Sequence, residues 1–94
     1  MPVYIVERYL PGITIQQLAA LQLAVLRSSQ SLRDAGRTIH YLRSIFLPGE
    51  SRCLCLFQAE DATLTKEVND VAGFAYLRIL NALDCSPEDA RARW

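Results

Sequence analysis

The stretch Thr38-Ile39-His40-Tyr41-Leu42-Arg43-Ser44-Ile45-Phe46, then Leu47-Pro48-Gly49-Glu50-Ser51, then Arg52-Cys53-Leu54-Cys55-Leu56-Phe57-Gln58-Ala59 decides the fold. Its two ends are rich in β-branched, aromatic and other apolar residues, and the loop between them holds both strong chain breakers, a proline and a glycine. It reads as a β-hairpin. The second of its strands, built around Cys-Leu-Cys-Leu-Phe, is apolar on both faces, which predicts a central place in a sheet.

Outward from the hairpin, each side carries one helix and one strand. Toward the N-terminus, Gly36 supplies the left-handed residue that ends a helix. That helix starts after Thr14, whose hydroxyl and Gln17 three residues on make a capping box. Ile15, Leu18, Leu21, Val25 and Leu32 recur at helical spacing, and Ala19, Leu23 and Leu26 widen the stripe. The run Ser28-Ser29-Gln30-Ser31 weakens its middle, so an early end or a kink is one expectation. Before it, Val3 to Leu10 reads as a strand stopped by Pro11-Gly12. Toward the C-terminus, Asp61 caps a second helix with Leu64, Val68 and Val71 on one face, and Gly73 closes it. Tyr76 to Leu83 is the last strand. Ser86-Pro87-Glu88-Asp89 opens a short helical tail from Pro87 to Trp94.

The order is therefore βαββαβ. Right-handed crossovers joined by a hairpin predict an α+β, ferredoxin-like sandwich: an antiparallel sheet in order 4-1-3-2 with both helices on one face. Residues 1–94 are expected to form a single domain, with a core over 2–83 and a tail over 84–94. Such a sandwich covers one side of its sheet only. Period-two alternation assigns Cys53, Cys55, Phe57 and Ala59 to the helix side, with Leu77, Ile79 and Leu83. The same rule assigns Leu54, Leu56, Gln58, Tyr76, Arg78, Leu80, Ile39, Tyr41, Arg43 and Ile45 to the open side, with Val3, Ile5, Glu7 and Tyr9.

That open side is too apolar for bare solvent. Ile39, Leu54, Leu56 and Leu80 are expected to form a homodimer interface between two sheets packed face to face. Glu7, Tyr9, Tyr41, Arg43, Gln58 and Arg78 lie within it. Either Glu7 pairs with Arg43 or Arg78 and the tyrosines fill the interface, or these residues line a pocket for a small organic ligand, with an arginine on its anionic group. An unpaired charge buried there costs several kcal/mol, so these groups must find each other, water or a ligand.

Composition narrows the function classes. Ten basic and ten acidic residues cancel, so the electrostatic footprint of a nucleic-acid binder is missing. Nine of the ten basic residues are arginine, which favours contact surfaces over simple solvation. With 51% hydrophobic residues the chain has material for a core. No apolar run approaches the ~20 residues of a membrane span, and with a strand pattern starting at Pro2 no leader is expected. Three cysteines is an odd count, and Cys53 and Cys55, two apart on one strand face, are poorly placed for a disulfide. A reduced, cytoplasmic setting is expected. No second Cys or His pair completes a metal set around Cys53-x-Cys55, so these read as packed core thiols. Cys85 is expected near the surface, and no cofactor is expected.

Several stretches resemble a known family. These are Tyr4-Ile5-Val6-Glu7-Arg8 running into Leu10-Pro11-Gly12, the strand Tyr41-Leu42-Arg43-Ser44-Ile45-Phe46, the strand Cys55-Leu56-Phe57-Gln58-Ala59 before Asp61, and Ala72-Gly73 before the last strand. They are similar to a family of small, mostly uncharacterised bacterial ferredoxin-like proteins that includes a nickel-binding member. The resemblance spans residues 2–83 and implies a ferredoxin-like homodimer. It implies no agreed activity. The family's metal-associated histidines fall near the ends of the first strand and second helix, where this chain reads Glu7-Arg8-Tyr9-Leu10 and Asp70-Val71-Ala72-Gly73. The one histidine, His40, lies elsewhere, so no metal site is expected from the resemblance. Three functions stay open: a homodimeric small-ligand-binding protein; a cofactor-free monooxygenase- or isomerase-like enzyme of the dimeric α+β barrel type, with Glu7 as base and Arg43 or Arg78 steadying an oxyanion; and a structural or partner-binding module.

Overall fold

The computed structural model describes residues 1–93; Trp94, the last residue of the expected tail, lies outside the described residues. The elements run β1 (Val3–Tyr9), α1 (Ile15–Asp34), β2 (Ile39–Leu47), β3 (Arg52–Ala59), α2 (Ala62–Ala72), β4 (Arg78–Ala82) and α3 (Pro87–Arg93). The sheet is antiparallel throughout, in order β2-β3-β1-β4, with β3, the strand apolar on both faces, beside β1 at its centre. This is the ferredoxin-like α+β arrangement that the element order predicts.

The helix boundaries follow from local chemistry. Gln17 N–H donates to the Thr14 hydroxyl at 3.1 Å, and the Gln17 side chain accepts from Thr14 N–H at 2.9 Å, completing the capping box. At the other end Gly36 takes a left-handed φ of 86°. Its N–H donates to Arg33 O and that of Arg37 to Leu32 O, a Schellman closure. The serine run does not break α1. Ser29 Oγ donates to Val25 O one turn back, and Ser28 Oγ donates to Val68 O of α2 at 2.7 Å. Small buried hydroxyls thus seal the α1–α2 contact instead of kinking the helix.

The core is the helix-facing half of the sheet. Tyr4 and Val6 of β1, Cys53, Cys55, Phe57 and Ala59 of β3, and Ile39 of β2 pack on Leu21 and Val25 of α1 and Leu64 and Val68 of α2. The stripe expected on α1 enters this core only in part: Ile15, its first member, is 76% exposed, and Leu23 and Leu26, expected to widen it, are also exposed. Val71 of α2 is exposed too, and Thr65 and Asn69 take the place expected for it beside Leu64 and Val68. The last strand starts at Arg78 rather than Tyr76, and Leu77 and Leu83, expected on the helix side, lie outside it and exposed.

One irregularity redirects β2. Ile39, His40 and Tyr41 pair with Ala59, Gln58 and Phe57, but Arg43 pairs with Leu56, so Leu42 is an extra residue bulged out of the ladder. An extra residue reverses the alternation of everything on one side of it. Arg43 and Ile45 keep their expected place on the open side. Ile39 and Tyr41, expected there with them, face the helices instead, and His40 takes the open side beside Gln58.

Burial separates positions that the sequence pattern groups together. Phe57→Ala should cost about 3–5 kcal/mol, the usual range for a fully buried aromatic, whereas Ile15→Ala should change stability by less than about 0.5 kcal/mol. Urea unfolding of both variants, read by far-ultraviolet circular dichroism, measures the contrast.

Candidate functional site

The open face can be laid out in rows across the sheet from β4 through β1 and β3 to β2. One row reads Ala82, Val3, Gln58, His40; the next Leu80, Ile5, Leu56, Arg43; the third Arg78, Glu7, Leu54, Ile45. A last partial row holds Tyr9, Arg52 and Leu47, with the Arg52 guanidinium 5.1 Å from the centre of the Tyr9 ring. Glu7, Tyr9, Arg43, Gln58 and Arg78 therefore share this face with Leu54, Leu56 and Leu80. Tyr41 and Ile39 do not, because the bulge turns them inward. Tyr76, also expected there, packs on the helix side.

Glu7 accepts from Arg78 through both oxygens, from Nε at 3.2 Å and from Nη2 at 3.4 Å. The pair is uneven: the Glu7 side chain is 15% exposed and that of Arg78 62%. Solvent screens such a pair, and its contribution is at most about 1 kcal/mol. Neither Arg43 nor His40 has an ion-pair or hydrogen-bond partner in its side chain among the described residues. At the end of the face where the chain begins, Met1, Pro2, Val3, Leu42, Gln58, Ala82, Leu83 and Asp84 line a partly open cavity of about 460 Å³. That volume lies in the range of small-molecule sites.

A second polar constellation sits on the helix side, where alternation along β1 puts Arg8 in line with Tyr4 and Val6. Arg8 has no exposed surface. Its Nη1 donates to Phe74 O at 3.2 Å and Ala75 O at 3.3 Å, and its Nη2 donates to Asn69 Oδ1. Asn69 is itself buried and donates to Thr65 O at 2.8 Å. Tyr76 closes the cage: its ring centre lies 6.0 Å from the guanidinium, and its hydroxyl donates to Asp70, which also holds Lys66. The Arg8 Nε has no partner. No carboxylate is among the groups bonded to this buried cation.

Beside Arg8, its register partner Cys53 starts a chain of polar groups through the core. The Cys53 and Cys55 sulfurs are 3.8 Å apart, and the Ser44 hydroxyl donates to Cys55 Sγ at 3.2 Å. Ser44 also bonds the Tyr41 hydroxyl, which accepts from Gln22 of α1. The Cys53 thiol beside it lowers the Cys55 thiol to about 6 from an ordinary 9.0; burial opposes this, and the Ser44 hydroxyl and the Arg8 cation reinforce it. Cys53 is raised in turn, first by its hydrogen bond to Cys55 and then by burial. The shared proton thus stays on Cys53. Burial also raises the Tyr41 hydroxyl, against hydrogen bonds from Ser44 and Gln22 that lower it. Alternation along β1 is the signal that would have found Arg8, since it follows at once from placing Glu7 and Tyr9 outward; the polar chain needs the bulge and is invisible without it.

Residues 4–81 match the family described as "SCO4226-like: Nickel responsive protein SCO4226-like". The chain belongs to this family of small α+β proteins. The crystal structure of SCO4226 from Streptomyces coelicolor A3(2) superposes with a TM-score of 0.75 over 89% of this chain and 99% of that one, at 19% identity. Identity that low shows a shared fold. No curated protein matches the chain.

Nickel, as the family description names it, does not fit the residues present. Among the described residues no three His, Cys, Asp or Glu side chains are grouped to hold a metal ion. Of the stretches where the resemblance places histidines, the first holds the buried Arg8 cation and the second ends just before the Phe74 and Ala75 carbonyls that bind it. The cleft over that cage, lined by Asn69, Asp70, Gly73, Phe74, Ala75 and Tyr76, has one carboxylate and no imidazole. His40 lies on β2, at the edge of the open face.

The cysteine pair makes a pH prediction. Between about 6 and 9.0 the folded protein has released a Cys55 proton that the unfolded chain still binds, so stability should rise with pH across that window. Above it stability should fall, because the unfolded chain loses the Cys53 proton that the folded one keeps. Urea midpoints of the native chain against pH, with Cys55→Ala as a reference lacking the rise, check both signs.

Proposed function

We propose that the protein is a homodimeric binder of a small organic anion, held between the open faces of two sheets. The observation that carries this reading is the continuous row Leu80, Ile5, Leu56, flanked on one side by Leu54 and Ile45 and bordered by Arg43 and the Glu7–Arg78 pair. Leu56 at its centre is buried, Ile5, Leu54 and Leu80 are half-buried and Ile45 is exposed; an apolar strip that still meets solvent along its length suits association, and a second copy supplies the same strip in a self-complementary way. The cationic surplus on the face selects the ligand's charge: in the paired rows Arg43, Arg52 and Arg78 stand against Glu7, with Asp84 at the far end beside Val3 and Gln58. Because the Glu7–Arg78 pair is screened and weak, an incoming carboxylate or phosphate can take the Arg78 guanidinium at little cost, with a bidentate geometry that arginine favours. The ligand's apolar part then lies on Ile5, Leu56 and Leu80.

The family description speaks of a response to nickel; with no imidazole set on this face, the reading here rests on the arginines and the apolar strip. Catalysis ranks second. A general base needs a carboxylate free to take a proton, and both oxygens of Glu7 are engaged by Arg78.

Native mass spectrometry of freshly purified protein tests the reading, since it reports subunit count and retained ligand together. A dimer carrying a small acidic molecule is the expected result; a bare monomer at micromolar concentration overturns it. Leu56→Arg should convert the dimer to monomer, because two guanidinium groups would meet without partners across the two-fold contact. Glu7→Gln should leave the dimer intact and change ligand retention, because it frees Arg78; identical retention would remove Glu7 and Arg78 from the site.

A further inference from the structure

We propose that Cys53 and Cys55 form a buried two-coordinate site for a soft monovalent metal ion, copper(I), with Arg8 as its counter-charge. Soft thiolates select copper(I) over harder ions. Two ligands suffice for such a d10 ion, so the missing second Cys or His pair, which excludes a four-ligand zinc or nickel site, is no obstacle here.

The geometry is close to what the ion needs. Metal–thiolate bonds run about 2.3 Å, so two in line place their sulfurs about 4.6 Å apart. The sulfurs stand 3.8 Å apart, and a side-chain rotation that opens them by less than about 1 Å, or a bent arrangement, makes room. Both point from the same face of β3 into the core beneath the helices, where water does not compete for the ion. The Ser44 hydroxyl donates to Cys55 Sγ and favours its thiolate form. From Ser44 the polar chain leads through Tyr41 to Gln22, all three half-buried, so the cysteine pair is linked by polar groups to the edge strand and α1.

The charge count agrees with a monovalent ion. Arg8 has no exposed surface, no bonded carboxylate and an unpartnered Nε. A buried cation is costly without an anion nearby, which the Cys55 thiolate supplies in the metal-free protein. Two thiolates and one monovalent ion carry a net charge of −1, the same as the thiol–thiolate pair they replace, so binding leaves the site neutral with Arg8. A divalent ion on the same two sulfurs would leave the core positive and its own coordination half empty. Binding replaces the proton shared by the two sulfurs with the metal and releases it to solvent; no electron is transferred.

The test uses the full chain with Cys85→Ser, which removes the exposed thiol. Under anaerobic, reducing conditions, copper(I) is titrated against bicinchoninate. The expected result is one ion per chain, not displaced by excess nickel(II), with X-ray absorption reporting two sulfur neighbours. Adding Cys53→Ala should weaken binding by more than ~100-fold, beyond the loss typical of outer-shell changes. Should Cys53→Ala fail to fold, the absorption spectrum of the Cys85→Ser protein decides by itself. A nitrogen or oxygen shell, or equal affinity with and without the pair, overturns the site.

Discussion

A four-stranded sheet roofed by helices on one side only imposes a single constraint on nearly every residue in it. A side chain either enters the core or joins the uncovered face, and parity along the strand decides which. On β1 and β3 the alternation is unbroken, so Tyr4, Val6, Arg8, Cys53, Cys55 and Phe57 go in, and Ile5, Glu7, Leu54, Leu56 and Gln58 go out. Among the described residues, the Leu42 bulge is the one place where the count changes. It removes Tyr41 from the uncovered face and places its hydroxyl within the core, next to Ser44. Both candidate sites depend on that residue: one loses a tyrosine, and the other gains the link between the cysteines and α1.

Arg8 is the second organising element. A guanidinium with no exposed surface costs several kcal/mol unless its donors are met. Here they are met mainly by backbone carbonyls, Phe74 O and Ala75 O, in the segment that links α2 to β4. The same contacts pin that segment against the end of β1, which is where β4 begins its pairing through Arg78 and Glu7. Order on the open face thus depends on a cation on the opposite one. The Asn69 bond extends the arrangement to α2, and the short Ser28–Val68 contact extends it to α1.

Much of the fold was legible because its signals are local. The capping box at Thr14 and Gln17, the glycine closures at Gly36 and Gly73, and the breakers between β2 and β3 each act within a few residues. Right-handed crossovers joined by a hairpin seat β1 and β3 centrally, and the apolar character of β3 on both faces agrees with that. The site was legible only in part. Glu7, Arg43, Gln58 and Arg78 reach the expected face, and Glu7 takes Arg78 as its partner. Tyr41 and Ile39 escape the alternation rule because a bulge leaves no clear mark in composition. The exposed Ile15, Leu23 and Val71 show a second limit. Helical periodicity identifies an apolar sector, but the partner's width decides how much of that sector is buried.

The order of elements, the caps, the strand order and the presence of one uncovered apolar face were determined by the chain's own residues, since each depends on neighbours a few positions apart or on simple parity. Tertiary structure alone decided which residue bulges, that Arg8 would be caged by carbonyls sixty-odd positions away, and that two sulfurs, a serine and a tyrosine would meet beside it. Those outcomes turn on how two strands settle their register against a helix layer, a balance of packing and hydrogen bonding between segments far apart in sequence, which local pattern does not encode.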